Sequence, residues 1–130
     1  MKLLDTDICI HLLNAREPEL IEHFRAHSPL ELGLCSVVRA ELLWGARHSQ
    51  RVEENLERVR LFCAPLKSLA FDDDCAESYG MIRAELAAAG QPIGPNDLLI
   101  AAIAATHQAT LVTRNQREFR RVRDLNIEIW

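Results

Sequence analysis

No stretch of this sequence approaches the ~20 consecutive apolar residues that a membrane-spanning helix needs. The opening Met1-Lys2-Leu3-Leu4 meets Asp5 at once, which leaves no apolar region for a signal peptide. No Cys-x-x-Cys occurs. Cys9, Cys35, Cys63 and Cys75 stand singly among apolar neighbours and read as reduced core residues, as expected of a cytoplasmic protein. His23 and His27 are four apart, but the glutamate of a His-Glu-x-x-His zinc motif is missing, so they read as surface histidines. Basic charge is not in excess: 15 Lys and Arg face 19 Asp and Glu, a formal net charge of -4, which argues against a general nucleic-acid coat protein. It leaves room for a cluster of acids flanked by local arginines. No repeat, low-complexity segment or linker divides the 130 residues, so one domain spanning 1–130 is expected.

What is present centres on Gly94-Pro95-Asn96-Asp97, followed by eight apolar residues, Leu98 to Ala105. Gly94 suits an N-cap and Pro95 the first helical position. A helix apolar on all sides lies inside the protein. Asp97 therefore opens a buried helix, and a carboxylate there needs hydrogen bonds, a helix N-terminus or a cation to offset its desolvation.

Lys2-Leu3-Leu4 reads as a buried strand that ends in Asp5, with a helix over Ile8–Leu13 closed by Asn14. Asp7 reads as its N-cap. Asp5, directly after the strand, reads as functional, because sites in open α/β sheets form at the carboxyl ends of strands. Pro18–Ala26 reads as a polar-faced helix and Leu32–Cys35 as a strand. Ser36 is expected to cap a helix over Val37–Ala46. Glu41 stands in that helix with Val37, Val38, Trp44 and Gly45 at helical spacing, and its own face is apolar, an unusual place for an unpaired Glu. Gln50–Cys63 reads as a solvated amphipathic helix, Leu66–Ala70 as an edge-like strand, and Asp72-Asp73-Asp74 as first-turn acids of a helix that Gly90 closes. Thr110–Thr113, a turn with a short helix at Arg114–Phe119, and Asn126–Trp130 complete an alternation of strands and helices. That alternation predicts an α/β fold in three layers.

In such a sheet Asp5, Glu41 and Asp97 can share one edge with Asn115. Three carboxylates in apolar settings raise one another's pKa values and coexist as anions around a divalent cation. Oxygen-only ligands select Mg²⁺ or Mn²⁺. A carboxylate-bound Mg²⁺ points to phosphoryl chemistry on a phosphodiester. Thr113, Arg114, Arg117, Arg120, Arg121 and Arg123 read either as phosphate contacts or as a solvated basic helix.

These residues resemble a known family. Leu3-Leu4-Asp5-Thr6-Asp7-Ile8, Ser36 through Glu41-Leu42, Tyr79-Gly80-Met81-Ile82-Arg83-Ala84 with Gly90, Pro92-Ile93-Gly94 and Asp97 through Ala102, and Leu111-Val112-Thr113-Arg114-Asn115 with Glu118-Phe119 fall in the order of PIN-domain ribonucleases. The chain is similar in particular to the VapC toxins of type II toxin–antitoxin pairs. The resemblance implies a PIN-like α/β/α domain with a central, mostly parallel sheet of four or five strands. It implies an Mg²⁺- or Mn²⁺-dependent endoribonuclease toxin that cuts structured RNA, often tRNA, and stops translation. Asp5, Glu41 and Asp97 are then the acids and metal ligands. Asn115 or Glu118 stands in for a fourth acid, and Thr6, Ser36, Thr113 and Arg114 are candidate substrate contacts. A VapB-type antitoxin, a homodimer, and operator DNA reached through the antitoxin complex are the implied partners. Two other readings compete: a haloacid-dehalogenase-like phosphatase with Asp5 as nucleophile and Asp7 as acid/base, and an inactive PIN scaffold that binds RNA or protein.

Overall fold

The computed structural model describes all residues from Met1 to Trp130. Five short strands, β1 (Lys2–Leu4), β2 (Leu32–Cys35), β3 (Lys67–Leu69), β4 (Thr110–Val112) and β5 (Ile127–Glu128), form one sheet in the order β3-β2-β1-β4-β5. Every pairing is parallel, with Leu3 beside Gly33 on one side and Leu111 on the other. Parallel neighbours need crossovers, and helices supply them. These are α1 (Thr6–Asn14), α2 (Pro18–Arg25), α3 (Ser36–Arg47), α4 (Val52–Cys63), α5 (Asp73–Ala88), α6 (Pro95–Thr106) and α7 (Gln116–Phe119). The three-layer parallel architecture expected from the sequence is present with five strands.

The chain adds β2 and β3 on one side of β1, then returns to place β4 on the other. The β1–β4 junction is therefore the point where strand order reverses, and clefts open there at the strands' carboxyl ends. Right-handed crossovers assign the helices between β1 and β3 to one face and those after β3 to the other. α3 packs on α1 and α4, α5 packs on α6, and α3 also meets α6 near the reversal.

The core follows from composition. Leu3, Leu4, Ile8, Leu34, Ile100, Ile103, Leu111 and Val112 are fully buried. α6 is the innermost helix: Leu98, Ile100, Ala101, Ala102, Ile103 and Ala104 are all buried, although Leu99 is only partly covered and Ala105 is exposed. Its alanines keep the helix slim enough to lie between α5 and β4. All four cysteines are free and buried.

Two helices join β1 to β2, β2 to β3 and β3 to β4, as the sequence indicates. Several other local expectations need correction. α1 starts at Thr6 and its N-cap is Asp5, not Asp7: the Asp5 carboxylate accepts from Thr6 N–H at 2.8 Å. Ser36 is the first residue of α3, with Cys35 at the cap. Its hydroxyl instead donates across to the Leu69 carbonyl at 3.3 Å, tying α3 to the end of β3. The last strand is only Ile127–Glu128. Asp72 caps α5, and Gly90 follows that helix with φ 65°, which only glycine adopts without strain.

The position of α6 gives a stability test. Ile100→Ala opens a cavity in the core and is expected to cost about 2–5 kcal/mol in urea unfolding. Leu61→Ala, on the exposed side of α4, should stay within about 0.5 kcal/mol of wild type.

Candidate active site

Each acid reaches the reversal point for a local reason. Asp5 follows β1 at the moment the strand turns into α1, and is only 4% exposed. Its backbone N–H still donates to Val112 of β4 at 2.9 Å, so it is locked to the sheet. One carboxylate oxygen accepts from Thr6 N–H, and the other accepts from the Thr113 hydroxyl at 2.7 Å. Thr113 is fully buried and also accepts from Asn115 N–H at 3.0 Å, so one hydroxyl sets both Asp5 and the turn after β4. Burial raises the Asp5 pKa, these two hydrogen bonds pull it back, and the nearby Asp7 charge raises it again.

Asp97 sits in the first turn of α6, where the helix dipole favours a negative group. That is not enough. Burial, a hydrogen bond shared with Glu118, and the charges of Asp5, Glu118 and Glu41 push its pKa up to about 7. The pair divides one proton. Glu118 is held below its usual range because it accepts from Asp97 and from Asn115. The Asn115 amide bridges the two acids, donating to Asp97 Oδ2 at 3.1 Å and Glu118 Oε2 at 2.9 Å. Glu41 approaches from α3. Its pKa is raised by burial and by Asp5 and Asp7, and is drawn down by Thr6 and Asn96 beside it.

None of Asp5, Glu41, Asp97 or Glu118 forms an ion pair with lysine, arginine or histidine; the five ion pairs of the structure lie elsewhere. Glu41 has no ion pair with Arg39 or Arg47, the arginines of its own helix. The acids ring the edge without three of them converging on one point, an arrangement that mutual repulsion favours. The donor set suits a hard divalent cation, being carboxylate and hydroxyl oxygen with no Cys or His. The buried Thr6 hydroxyl fits the same reading, since it makes no well-formed hydrogen bond and lies beside Glu41, whose pKa it draws down.

The structure thus brings together Asp5, Thr6, Glu41, Asp97, Thr113, Asn115 and Glu118. It does not bring Ser36, which bonds Leu69. Nor does it leave Arg114 free, because the guanidinium grips Glu17 through two hydrogen bonds of 3.1 and 2.8 Å and the Trp130 carbonyl at 3.0 Å. Arg114 is a strut between α2 and the last strand, not an open phosphate contact. Arg121 donates to the Pro92 carbonyl. Asn96 was not singled out in the sequence. Its signal was its place between Pro95 and Asp97, in the first turn of a helix whose start faces acids. The His23–His27 spacing also hid a contact: both rings stack on Trp130, with centroids 5.6 and 5.1 Å away.

A five-stranded parallel sheet in this order, with acids gathered where β1 and β4 part, defines a PIN domain, and the family profile described as "PIN domain" matches residues 2–125. The chain belongs to this family, in its VapC ribonuclease branch, and it is a nuclease. It is 36% identical to ribonuclease VapC2 of Rickettsia felis and 38% identical to a tRNA(fMet)-specific endonuclease VapC of Shigella flexneri, in each case over 98% of this chain and 96% of the relative. Among solved structures it is similar to VapBC2 of Rickettsia felis bound to a promoter DNA fragment (TM-score 0.92, 34% identity, 99% of this chain and 98% of that one). It is also similar to DNA-bound VapBC of Salmonella typhimurium (TM-score 0.93, 36% identity, 99% and 97%). The phosphatase reading falls with this assignment.

The raised Asp97 pKa fixes a sign. A carboxyl that titrates higher in the folded than in the unfolded chain destabilises the fold progressively as pH rises from about 4 to about 7. Asp97→Asn keeps a donor toward Glu118 and removes the charge. Without divalent ions it should stabilise the protein by about 1–2 kcal/mol at pH 8, allowing for solvent screening, and by little at pH 4. Thermal melts at the two pH values check this.

Proposed function

We propose that the chain is an Mg²⁺- or Mn²⁺-dependent endoribonuclease toxin, and that Asp5 and Asp97 hold the cation with help from Glu41 and Glu118. The observation that carries this reading is the Asp97 carboxyl, pushed to about 7 among other acids with no basic side chain paired to any of them. When bound, the cation would lower the pKa of a water and neutralise charge on phosphoryl oxygens.

The chain's own residues do the rest. Thr113 fixes the orientation of Asp5 through a bond made inside the core. Asn115 positions Asp97 and Glu118 relative to each other. The shared proton of that pair leaves one carboxyl ready to accept a proton near neutral pH. Glu118 fills the role of the fourth acid, while Asn115, which has a single carbonyl oxygen and two N–H donors, acts as a bridge.

Structured RNA, with tRNA foremost, is the substrate class, in line with the Shigella flexneri relative's name. Cutting it would inhibit translation. The partner is a VapB-type antitoxin, as in the VapBC structures, two of which carry DNA. An apolar cleft of about 290 Å³ between α1, α3 and α4 offers it a seat: Ile10, Leu13, Leu42 and Val59 line it, and Glu41 stands at its edge. A homodimeric toxin acting in the cytoplasm completes the proposal. No helix is long and apolar enough to cross a membrane.

The test is cleavage of total tRNA by purified chain, with 5′-end mapping. Wild type should cut with Mg²⁺ or Mn²⁺ and stop when EDTA is added. Asp5→Asn and Asp97→Asn should each lose at least about 100-fold in rate. Folded wild type that cuts nothing with either metal, or cuts equally well after Asp97→Asn, would favour the inactive-scaffold reading.

The fourth-acid assignment has its own test. Glu118→Gln should slow cleavage by about 10-fold or more, and Asn115→Asp should keep measurable activity. The opposite order would return the role to position 115.

A further inference from the structure

Tyr79 and Arg83 of the motif Tyr79–Ala84, and Pro92 and Ile93 of the loop before α6, have no part in the site described so far. They line a cavity of about 360 Å³ that reaches the first turn of α6. Tyr79 and Arg83 of α5, Pro92 and Ile93 of the loop, and Pro95 and Leu98 of α6 are its walls. The volume lies within the ordinary range for small-molecule sites, about 300–1,000 Å³.

The cavity joins the acid cluster through the first turn of α6. Pro95 and Leu98 share one flank of that turn, and Asp97 stands about 100° round from Leu98. A strand of RNA that places a phosphate at Asp97 therefore has this cavity within reach, across the first turn of one helix ~10–12 Å wide. The loop that roofs the cavity is pinned from the acid side, where Arg121 donates to the Pro92 carbonyl at 2.8 Å and lies near Glu118.

The chemistry of the lining is selective. Tyr79 is half-buried, and its ring is set edge-on by Phe71 with centroids 6.1 Å apart. Arg83 is exposed and has no carboxylate within ion-pairing distance. It donates to the Tyr79 hydroxyl at 2.8 Å and lies 5.9 Å from that ring's centroid. A fixed aromatic ring and an unpaired planar cation, over an apolar floor of Pro and Ile, are what an unstacked base needs: a surface to stack on and donors for its edge. The remaining walls offer no acid to repel the backbone.

We propose that this cavity takes an unpaired nucleobase of the RNA, next to the phosphate that is cut, and that Tyr79 and Arg83 position the substrate there. The proposal rests on the nuclease reading, and it restricts cleavage to loops and single strands, whose bases can turn outward.

The experiment separates binding from cutting. Fluorescein-labelled single-stranded RNA and a duplex of the same length are titrated with the protein in EDTA, and anisotropy gives Kd. Wild type should bind the single strand more tightly than the duplex. Tyr79→Ala and Arg83→Ala should each weaken single-strand binding by about 10-fold, the loss of one stacked base, with a smaller effect on duplex. Tyr79→Phe keeps the ring and should stay within about threefold. Leu61→Ala, exposed on α4 across the sheet from α5 and α6, should bind as wild type does, so a loss of affinity reports on the cavity. Thermal melts accompany each variant, and the exposed Arg83 carries the test if Tyr79→Ala loosens the contact with Phe71.

Unchanged single-strand affinity in both alanine variants, equal losses on the two RNAs, or no binding by wild type would overturn the proposal. So would a shift in self-association by sedimentation with RNA affinity intact, which would give the cavity to a second copy of the chain. Binding that follows the proposal without cleavage in any metal would defeat only the nuclease reading.

Discussion

The structure depends on a repulsion it does not resolve internally. Asp97 is fixed at the entrance of the most buried helix, and Asp5 is fixed by β1, Thr113 and the backbone of α1. Neither can swing to solvent without breaking those bonds, and neither has a basic partner. The fold holds negative groups together and leaves their charge uncompensated. A structural ion pair would have placed an arginine there, and arginines are nearby: Arg114 is one residue from Asn115, yet it is spent on Glu17 and the Trp130 carbonyl. Keeping cations away from Asp5 and Asp97 is what makes the cluster suitable for a divalent ion and a phosphate.

The rest of the molecule supplies rigidity to that cluster. The sheet reverses between β1 and β4, so Asp5 and Thr113 are neighbours although they are 108 positions apart. α6 carries Asp97 on a helix whose other residues are mostly sealed in the core. α3 brings Glu41 in by meeting α6. A site built on element ends of this kind has little freedom to relax, so the raised carboxyl pKa values persist. The ring of Trp130, stacked on His23 and His27 and hydrogen-bonded to Glu128, anchors the strut to which Arg114 is tied.

Much of this was legible in the residues. Gly94-Pro95 followed by an apolar run specified a buried helix with Asp97 at its mouth, because capping chemistry and periodicity agreed. Leu3-Leu4-Asp5 specified a strand ending in an acid. Glu41 stood out because its helical neighbours were apolar. The failures have physical causes too. Asp5 and Asp7 are both good caps, and which of them starts α1 depends on where the pairing of β1 with β4 ends. Ser36 looks like a cap by type, but the strand runs one residue less far than a capping serine requires, and its hydroxyl serves a tertiary contact with Leu69. The engagement of Arg114 with Glu17 joins positions 97 residues apart, which no local pattern reveals. The Asn115 bridge had the same origin: the Asp97–Glu118 contact it spans exists only in three dimensions.

The central claim is that the acids share protons in the free protein and give them up to a divalent cation. Carboxyl-carbon NMR of the side chains, followed across pH with and without Mg²⁺, tests it most directly. The account predicts one carboxyl, that of Asp97, titrating near 7 in the free protein, with its midpoint falling by at least about one unit when Mg²⁺ is added. If every carboxyl titrates in the ordinary range around 4 and Mg²⁺ shifts none of them, the acids do not depend on a cation and the account is contradicted.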